Sequence, residues 1–253
     1  MFFIQENDKK NILFFDSFEQ ESFKRKWPSN EGCCEYSIST IDSLSKTGNK
    51  CVRFELNNTD PIIGNGKRAE LLMASEKSSK IERWYRFDVY LPDSYQNDPL
   101  FDIVAQWHET PDFDLGETWR SPPIALMTRK NFWELRILWA DKPVNTNKTI
   151  SGSKLIPLGN YEKDKWVEWV FHIKYSYGDD GLIEIWKNKK KVLEYQGPNY
   201  YNDKKGPFFK LGIYKPDWMT KTKNLAVSKR VLFFDNVAIG NSNADKRLMR
   251  SMK

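Results

Sequence analysis

The sequence predicts an all-β fold, two antiparallel sheets packed face to face as a sandwich of jelly-roll type. Three observations predict it. Apolar and polar residues alternate over short segments along most of the chain, and the helical period is almost absent. Aromatic residues, which favour strands, make up 15% of the sequence. Turn residues punctuate the alternating segments, and about a dozen such segments fit within the chain, a number that suits two sheets.

In order, the strand candidates are Asn11–Phe15, Lys50–Leu56, Arg68–Met73, Trp84–Leu91, Phe101–His108, Ile124–Thr128 and Trp133–Trp139. Trp166–Tyr175, Gly181–Lys187, Lys191–Tyr195, Phe208–Tyr214 and Val231–Ile239 follow. Tyr177–Gly181 supplies glycines that tolerate positive φ and reads as a hairpin turn. Lys187-Asn188-Lys189-Lys190 reads as the next. Glu109–Ser121 has no periodicity and carries Pro, Gly and acids, so it is expected to be a long loop. No Ser- or Pro-rich linker and no repeat divides the chain. The expectation is one domain over 1–253, with its core at about 11–240 and a polar, basic tail, 241–253, forming a short helix or fraying.

The net charge of +6 suggests a polyanionic partner or, more simply, a lysine-rich surface. No nucleic-acid recognition motif occurs, and no Gly-rich phosphate loop follows a strand, so nucleic acid and nucleotides are not expected. No apolar run is long enough for a membrane helix. The opening MFFIQENDKK is too short and too soon charged for a full signal peptide. Either the protein is not exported by that route or the chain is a mature form with an added Met. Cys33, Cys34 and Cys51 offer no zinc spacing. Adjacent cysteines do not easily bridge one another, which leaves one of them paired with Cys51 or all three free.

Candidate chemistry lies where polar residues recur at spacing two, because residues i and i+2 of a strand share a face. Arg68 and Glu70 form one such pair and Gln106 and His108 a second, each backed by apolar neighbours of opposite parity. Lys210, Gly212 and Tyr214 form a third row, in which the glycine marks a close approach by a ligand or a backbone and leaves a bare patch on a groove floor. Taken singly, these are solvated ladders, a structural histidine or a bulge glycine. Gathered on one concave sheet, they make a polar, cationic groove.

Arg68-Ala69-Glu70-Leu71, Gln106-Trp107-His108 and Phe209-Lys210-Leu211-Gly212-Ile213-Tyr214 occur in this order and widely separated. The set resembles the motifs of jelly-roll (concanavalin A-like) polysaccharide lyases, which include alginate lyases, glucuronan lyases and the heparin lyase I type. Gly181–Tyr214 and Phe234-Asp235-Asn236-Val237 look most like the glucuronan and heparin lyase branch. The resemblance implies an enzyme that cleaves a uronic-acid polysaccharide by β-elimination, endo-acting, secreted or periplasmic in its mature form, and monomeric. The substrate it implies is glucuronan- or heparin-like, with alginate as the alternative.

That reaction removes a proton alpha to a carboxylate and expels the 4-linked sugar. Arg68 suits a bidentate grip on the carboxylate, and Gln106 suits donation to the developing enolate, preorganised donors of this kind being worth on the order of 3 kcal/mol each. His108 is the expected base, with an ordinary pKa of about 6.5. Tyr214 is the expected acid, or base if nearby cations depress its pKa. Lys210 lies about 13 Å along the strand from Tyr214 at roughly 3.3 Å per residue, and is expected to bind an acidic group at a neighbouring subsite. Glu70 is expected to orient Arg68, and Trp107 and Lys215 to join Lys210 and Glu70 in substrate binding. No cofactor is expected beyond a structural calcium near Asp16 and Asp235, on strands that pair in many sandwiches. A retaining glycoside hydrolase would need two carboxylates about 5.5 Å apart, and no run of acids at that strand spacing occurs. A non-catalytic, lectin-like module is the other alternative.

Overall fold

The computed structural model describes residues 6–220 and 225–252. Met1–Gln5, within the segment weighed as a leader, and Lys253, at the end of the tail, lie outside the described residues. In chain order the strands are β1 (Ile12–Asp16), β2 (Ser29–Glu31), β3 (Ile38–Ile41), β4 (Cys51–Asn57), β5 (Arg68–Leu72), β6 (Glu82–Tyr90), β7 (Asp98–His108) and β8 (Ile124–Lys130). Then come β9 (Phe132–Trp139), β10 (Gly152–Asn160), β11 (Trp166–Lys174), β12 (Leu182–Lys187), β13 (Lys190–Gln196), β14 (Phe208–Tyr214) and β15 (Lys229–Gly240). Two short helices, α1 (Glu6–Lys9) and α2 (Lys246–Ser251), flank them. The back sheet runs β13-β12-β11-β6-β15-β4-β3, with β1 also paired to β15, and the front sheet runs β10-β9-β8-β7-β14-β5-β2. Neighbours in both are antiparallel, for instance β14 with β5 and β7, and β15 with β6.

The strands that alternation did not reveal are β2, β3 and β10. The first two are only three and four residues long. The third carries Pro157 and Gly159 and lies at the sheet edge, where a proline's missing N–H costs no ladder bond. At the Lys187–Lys190 turn, Asn188 and Lys189 both take positive φ (48° and 75°), the twist that matches two right-twisted strands. The tail is docked rather than frayed. Asp245 caps α2 by accepting from the Leu248 amide at 2.7 Å, and Leu248 and Met249 bury against Trp84 and Trp186 of the back sheet.

The core fills the space between the sheets. Trp107 and Phe209 of the front sheet meet Tyr85, Phe87 and Phe171 of the back sheet, with ring centroids 4.7–6.2 Å apart. Inward parity thereby leaves the alternate positions of β5, β7 and β14 on the outer, concave face.

A disulfide joins Cys33 and Cys34, contrary to the expectation for neighbours, at a bend after β2. Cys51 is a buried free thiol whose pKa is pushed up to about 12 by burial and by nearby Asp235. Asp16 and Asp235 do lie on or beside paired strands, since Asp16 faces Val237. Each carboxylate is met by N–H donors of its own: Asp16 by Trp27 Nε1 and the Phe18 amide, both at 3.0 Å, and Asp235 by the amides of Lys46, Thr47 and Asn236 at 2.7–3.1 Å. Among the described residues neither belongs to a group of three side chains placed to share a cation.

Candidate active site

Three neighbouring strands, β7, β14 and β5, bring the predicted residues together. In the register Tyr214 lies opposite Arg68, and Lys210 lies between Gln106 and Leu72. Arg68, Gln106, His108, Lys210 and Tyr214 line one open cleft of about 640 Å³ on the front sheet.

An ionic lattice forms its floor at the β2 end. Glu31, a residue the sequence did not single out, accepts from Arg68 Nη1 at 2.9 Å and from Lys210 Nζ at 2.6 Å. Glu70 lies 2.9 Å from Lys210 Nζ and 3.6 Å from Arg68 Nη1, and accepts from the Gln106 amide. Burial alone would raise the Glu31 pKa, but Lys210 and Arg68 outweigh it and hold the carboxyl below its ordinary value. Glu31 sits in a three-residue polar strand with no pattern of its own, so only the fold reveals it.

Lys210 is 2% exposed, with its ammonium between two carboxylates. That placement makes it an internal strut of the lattice. Replacing it by Met removes the shared cation and leaves two carboxylates without it. Denaturant unfolding of K210M is expected to show a loss of about 3–5 kcal/mol. An unchanged stability with a raised KM would instead assign Lys210 to the substrate.

Tyr214 lies under Arg68, whose guanidinium carbon is 4.4 Å from the ring centroid. Burial raises the Tyr214 pKa and Arg68 pulls it down, as does Arg136 across the groove; burial prevails, and the phenol stays above its ordinary value. Gly66 makes room for this stack, since a Cβ there would fall 2.3 Å from Tyr214 Cε2 and 2.9 Å from Arg68 Nη2.

His108 is held by its neighbour. Its Nδ1 lies 3.1 Å from the Glu109 carbonyl oxygen and 2.7 Å from a Glu109 carboxylate oxygen. Both oxygens can only accept, so in the neutral imidazole the Nδ1 side is the donor and Nε2 is the nitrogen left to accept a proton. Phe208 stacks on the imidazole at 5.2 Å, and the edge of Trp119 lies 5.6 Å away. Trp119 comes from the aperiodic Glu109–Ser121 loop, which is pinned by buried Arg120. That guanidinium donates to Asp203 at 2.7 Å and to Glu117 at 3.1 Å, with Glu109 3.6 Å away. Burial raises the Asp203 pKa to about 7, against the pull of Arg120. Glu109 therefore joins the site as the group that orients His108, a role invisible in a segment without periodicity.

Four expectations are corrected. Trp107 is fully buried among core aromatics, because it has the opposite parity to Gln106 and His108. Lys215 lies past the end of β14 and turns inward, its Nζ 3.0 Å from Asp98 and 3.1 Å from Asp102. Neither lines the cleft, nor does Glu70, which is buried and bound to Lys210 and Gln106 and so is not free to bind substrate. Gly212 leaves no bare patch for a ligand. At φ 139° its missing side chain faces β5, where a Cβ would lie 2.1 Å from the Ala69 oxygen, so it is the backbone approach that requires glycine.

Solved structures share this fold. The endo-β-1,4-glucuronan lyase of the fungus Trichoderma reesei superposes with a TM-score of 0.76 at 19% identity, covering 92% of this chain and 97% of that one. The marine alginate lyase of Aplysia kurodai gives 0.61 at 14% identity, covering 91% and 99%. The alginate lyase AlgAT5, of polysaccharide lyase family 7, gives 0.54 at 15%, covering 83% and 84%. No curated protein matches the sequence. The family model described as polysaccharide lyase matches residues 12–238, and the chain thus belongs to the polysaccharide lyase family, as an enzyme acting on polysaccharides.

Proposed function

We propose that this lyase cleaves a uronic-acid polymer by β-elimination, with a glucuronan-like chain as its preferred substrate and His108 and Tyr214 as base and acid. The observation that carries the reading is the pairing of a histidine whose Nδ1 is engaged by Glu109 with a tyrosine held above its ordinary pKa, both lining one cationic cleft. His108 Nε2 takes the proton alpha to the carboxylate. The electron pair of the broken C5–H bond moves into the carboxylate as an enolate, whose charge Arg68 and Gln106 stabilise; its return forms the C4–C5 double bond as the C4–O bond breaks, and Tyr214 protonates the departing 4-oxygen. Arg68 lines the cleft and engages Glu31 through Nη1. Gln106 is oriented by Glu70. Glu31 and Glu70 flank the cleft but are bound to cations, which argues against their acting as the proton-bearing acid of a hydrolase. The likeness to a glucuronan lyase, stronger in TM-score than that to the two alginate lyases, supports the substrate class. A polymeric substrate supports a secreted or periplasmic site of action.

The test is a panel of glucuronan, alginates, heparin, heparan sulfate and hyaluronan, each followed for the ultraviolet absorbance of an unsaturated uronate end. Glucuronan is expected to give the fastest rise. New reducing ends without that absorbance would establish hydrolysis instead. The Gly66 gap provides a second check. G66A is expected to push Tyr214 and Arg68 out of line and lower kcat/KM by about 10²-fold, since a shift of about 1 Å at a reacting group costs that much. An unchanged kcat/KM would show that their stacking is dispensable.

A further inference from the structure

Cations in this cleft are not equivalent. Arg68 and Lys210 are matched by Glu31 and Glu70. Arg136 lines the same cleft from β9 and has no carboxylate partner among the described residues. The nearest acid on its strand face, Glu134, is held by Arg129 through two bonds of 2.8 and 3.0 Å. The neighbours of Arg136 are aromatic: the Phe101 ring at 5.8 Å and, electrostatically, Tyr201 and Tyr214. Its Nε is sealed from solvent and unbonded. Burial accordingly lowers its pKa, with only the two phenols opposing. A guanidinium in such surroundings is costly unless an anion completes it.

The register places it. Arg136 pairs with Ala125, and Ala125 with Gln106, so all three lie in one row across the front sheet. Two strand spacings of about 4.8 Å each separate Arg136 from Gln106, with only the Ala125 methyl between them in the row. A polymer running across the strands from the Glu31 end would pass Lys210 and Gln106 and then reach Arg136.

We infer that Arg136 is a specificity-determining residue that grips the carboxylate of a second uronate, on the β9 side of the sugar that is cleaved. Its planar fork can donate two parallel bonds to a carboxylate. The inference rests on the polyuronate reading above and deepens it. It selects polymers with carboxylates close together along the chain, such as polyuronates, over those in which one acidic sugar stands among neutral ones.

The test uses the full chain and two readouts. In steady state on glucuronan, R136Q is expected to raise KM about 10- to 100-fold, the worth of a charge-assisted pair, with kcat within about twofold. R136K is expected to recover part of the loss. The melting temperature of free R136Q is expected to equal or exceed that of the parent, because no internal ion pair is lost. The second readout is calorimetric binding of a glucuronan oligosaccharide and of its carboxyl-reduced counterpart. R136Q is expected to weaken the first and leave the second unchanged. Equal affinities for the acidic oligosaccharide in parent and R136Q, or an equal loss for both ligands, would overturn the assignment. Should the parent bind the oligosaccharide through Arg136 but never form the unsaturated product, the elimination reading would fall while this one stood.

Discussion

Replacing Tyr214 by phenylalanine is expected to lower kcat by about 10²- to 10⁴-fold, the usual worth of a positioned proton donor, while KM changes little. The substitution removes one oxygen and keeps the ring on which Arg68 lies at 4.4 Å, so cleft geometry and fold should survive. The pH profile checks the same assignment. Burial raises the Tyr214 pKa against the pull of Arg68. An acid must be protonated to act, so activity that depends on this phenol should persist up to and beyond the ordinary tyrosine value of about 10, and be lost only above it. A base role would demand the opposite, with activity rising toward alkaline pH. A Y214F enzyme with unaltered kcat would remove tyrosine from the chemistry altogether.

A comparable loss, again about 10²- to 10⁴-fold in kcat, is expected for His108→Gln. Glutamine retains polarity and approximate reach but has no imidazole lone pair, so binding should persist while proton abstraction fails. Glu109 supplies a separable control. It touches Nδ1, not the groove, and E109Q keeps the carbonyl acceptor at 3.1 Å while removing the carboxylate at 2.7 Å. Its effect should therefore be a smaller fall in kcat than that of H108Q with KM unchanged, as befits a residue acting through the histidine. Full activity in H108Q would move the base to another group in the cleft.

These expectations share one electrostatic plan. Two carboxylates beneath the cleft cancel two cations and hold Arg68 and Gln106 in place, while the histidine is fixed from the side by a loop whose own charges converge on Arg120. Polar side chains on a sheet surface would otherwise sample several rotamers, and ordering them during the reaction would add to the barrier. Preorganisation here comes from neighbours on strands β2 and β5 and from Glu109, none of which touches the proposed reacting atoms.

Alternation along the strands was enough to establish an all-β sandwich, and strand parity was enough to place Arg68, Gln106, His108, Lys210 and Tyr214 on one face. Parity is a local property of the backbone, set by the two-residue period and changed only at bulges, one of which in β7 brings Ile103 to the same cleft as Gln106 and His108. The same rule, applied strictly, already sends Trp107 into the core. Tertiary structure decided what local pattern cannot carry: which strands are neighbours, and therefore which charges meet. Glu31 is 179 residues from Lys210 in the chain and 2.6 Å from it in space. Pairing at that range turned Lys210 from a free cation into a neutralised one, sent Lys215 to Asp98 and Asp102, and left Arg136 unmatched among the described residues. A charge's role depends on its partners, and in an antiparallel sandwich the partners come from strands that only the closed sheets bring together.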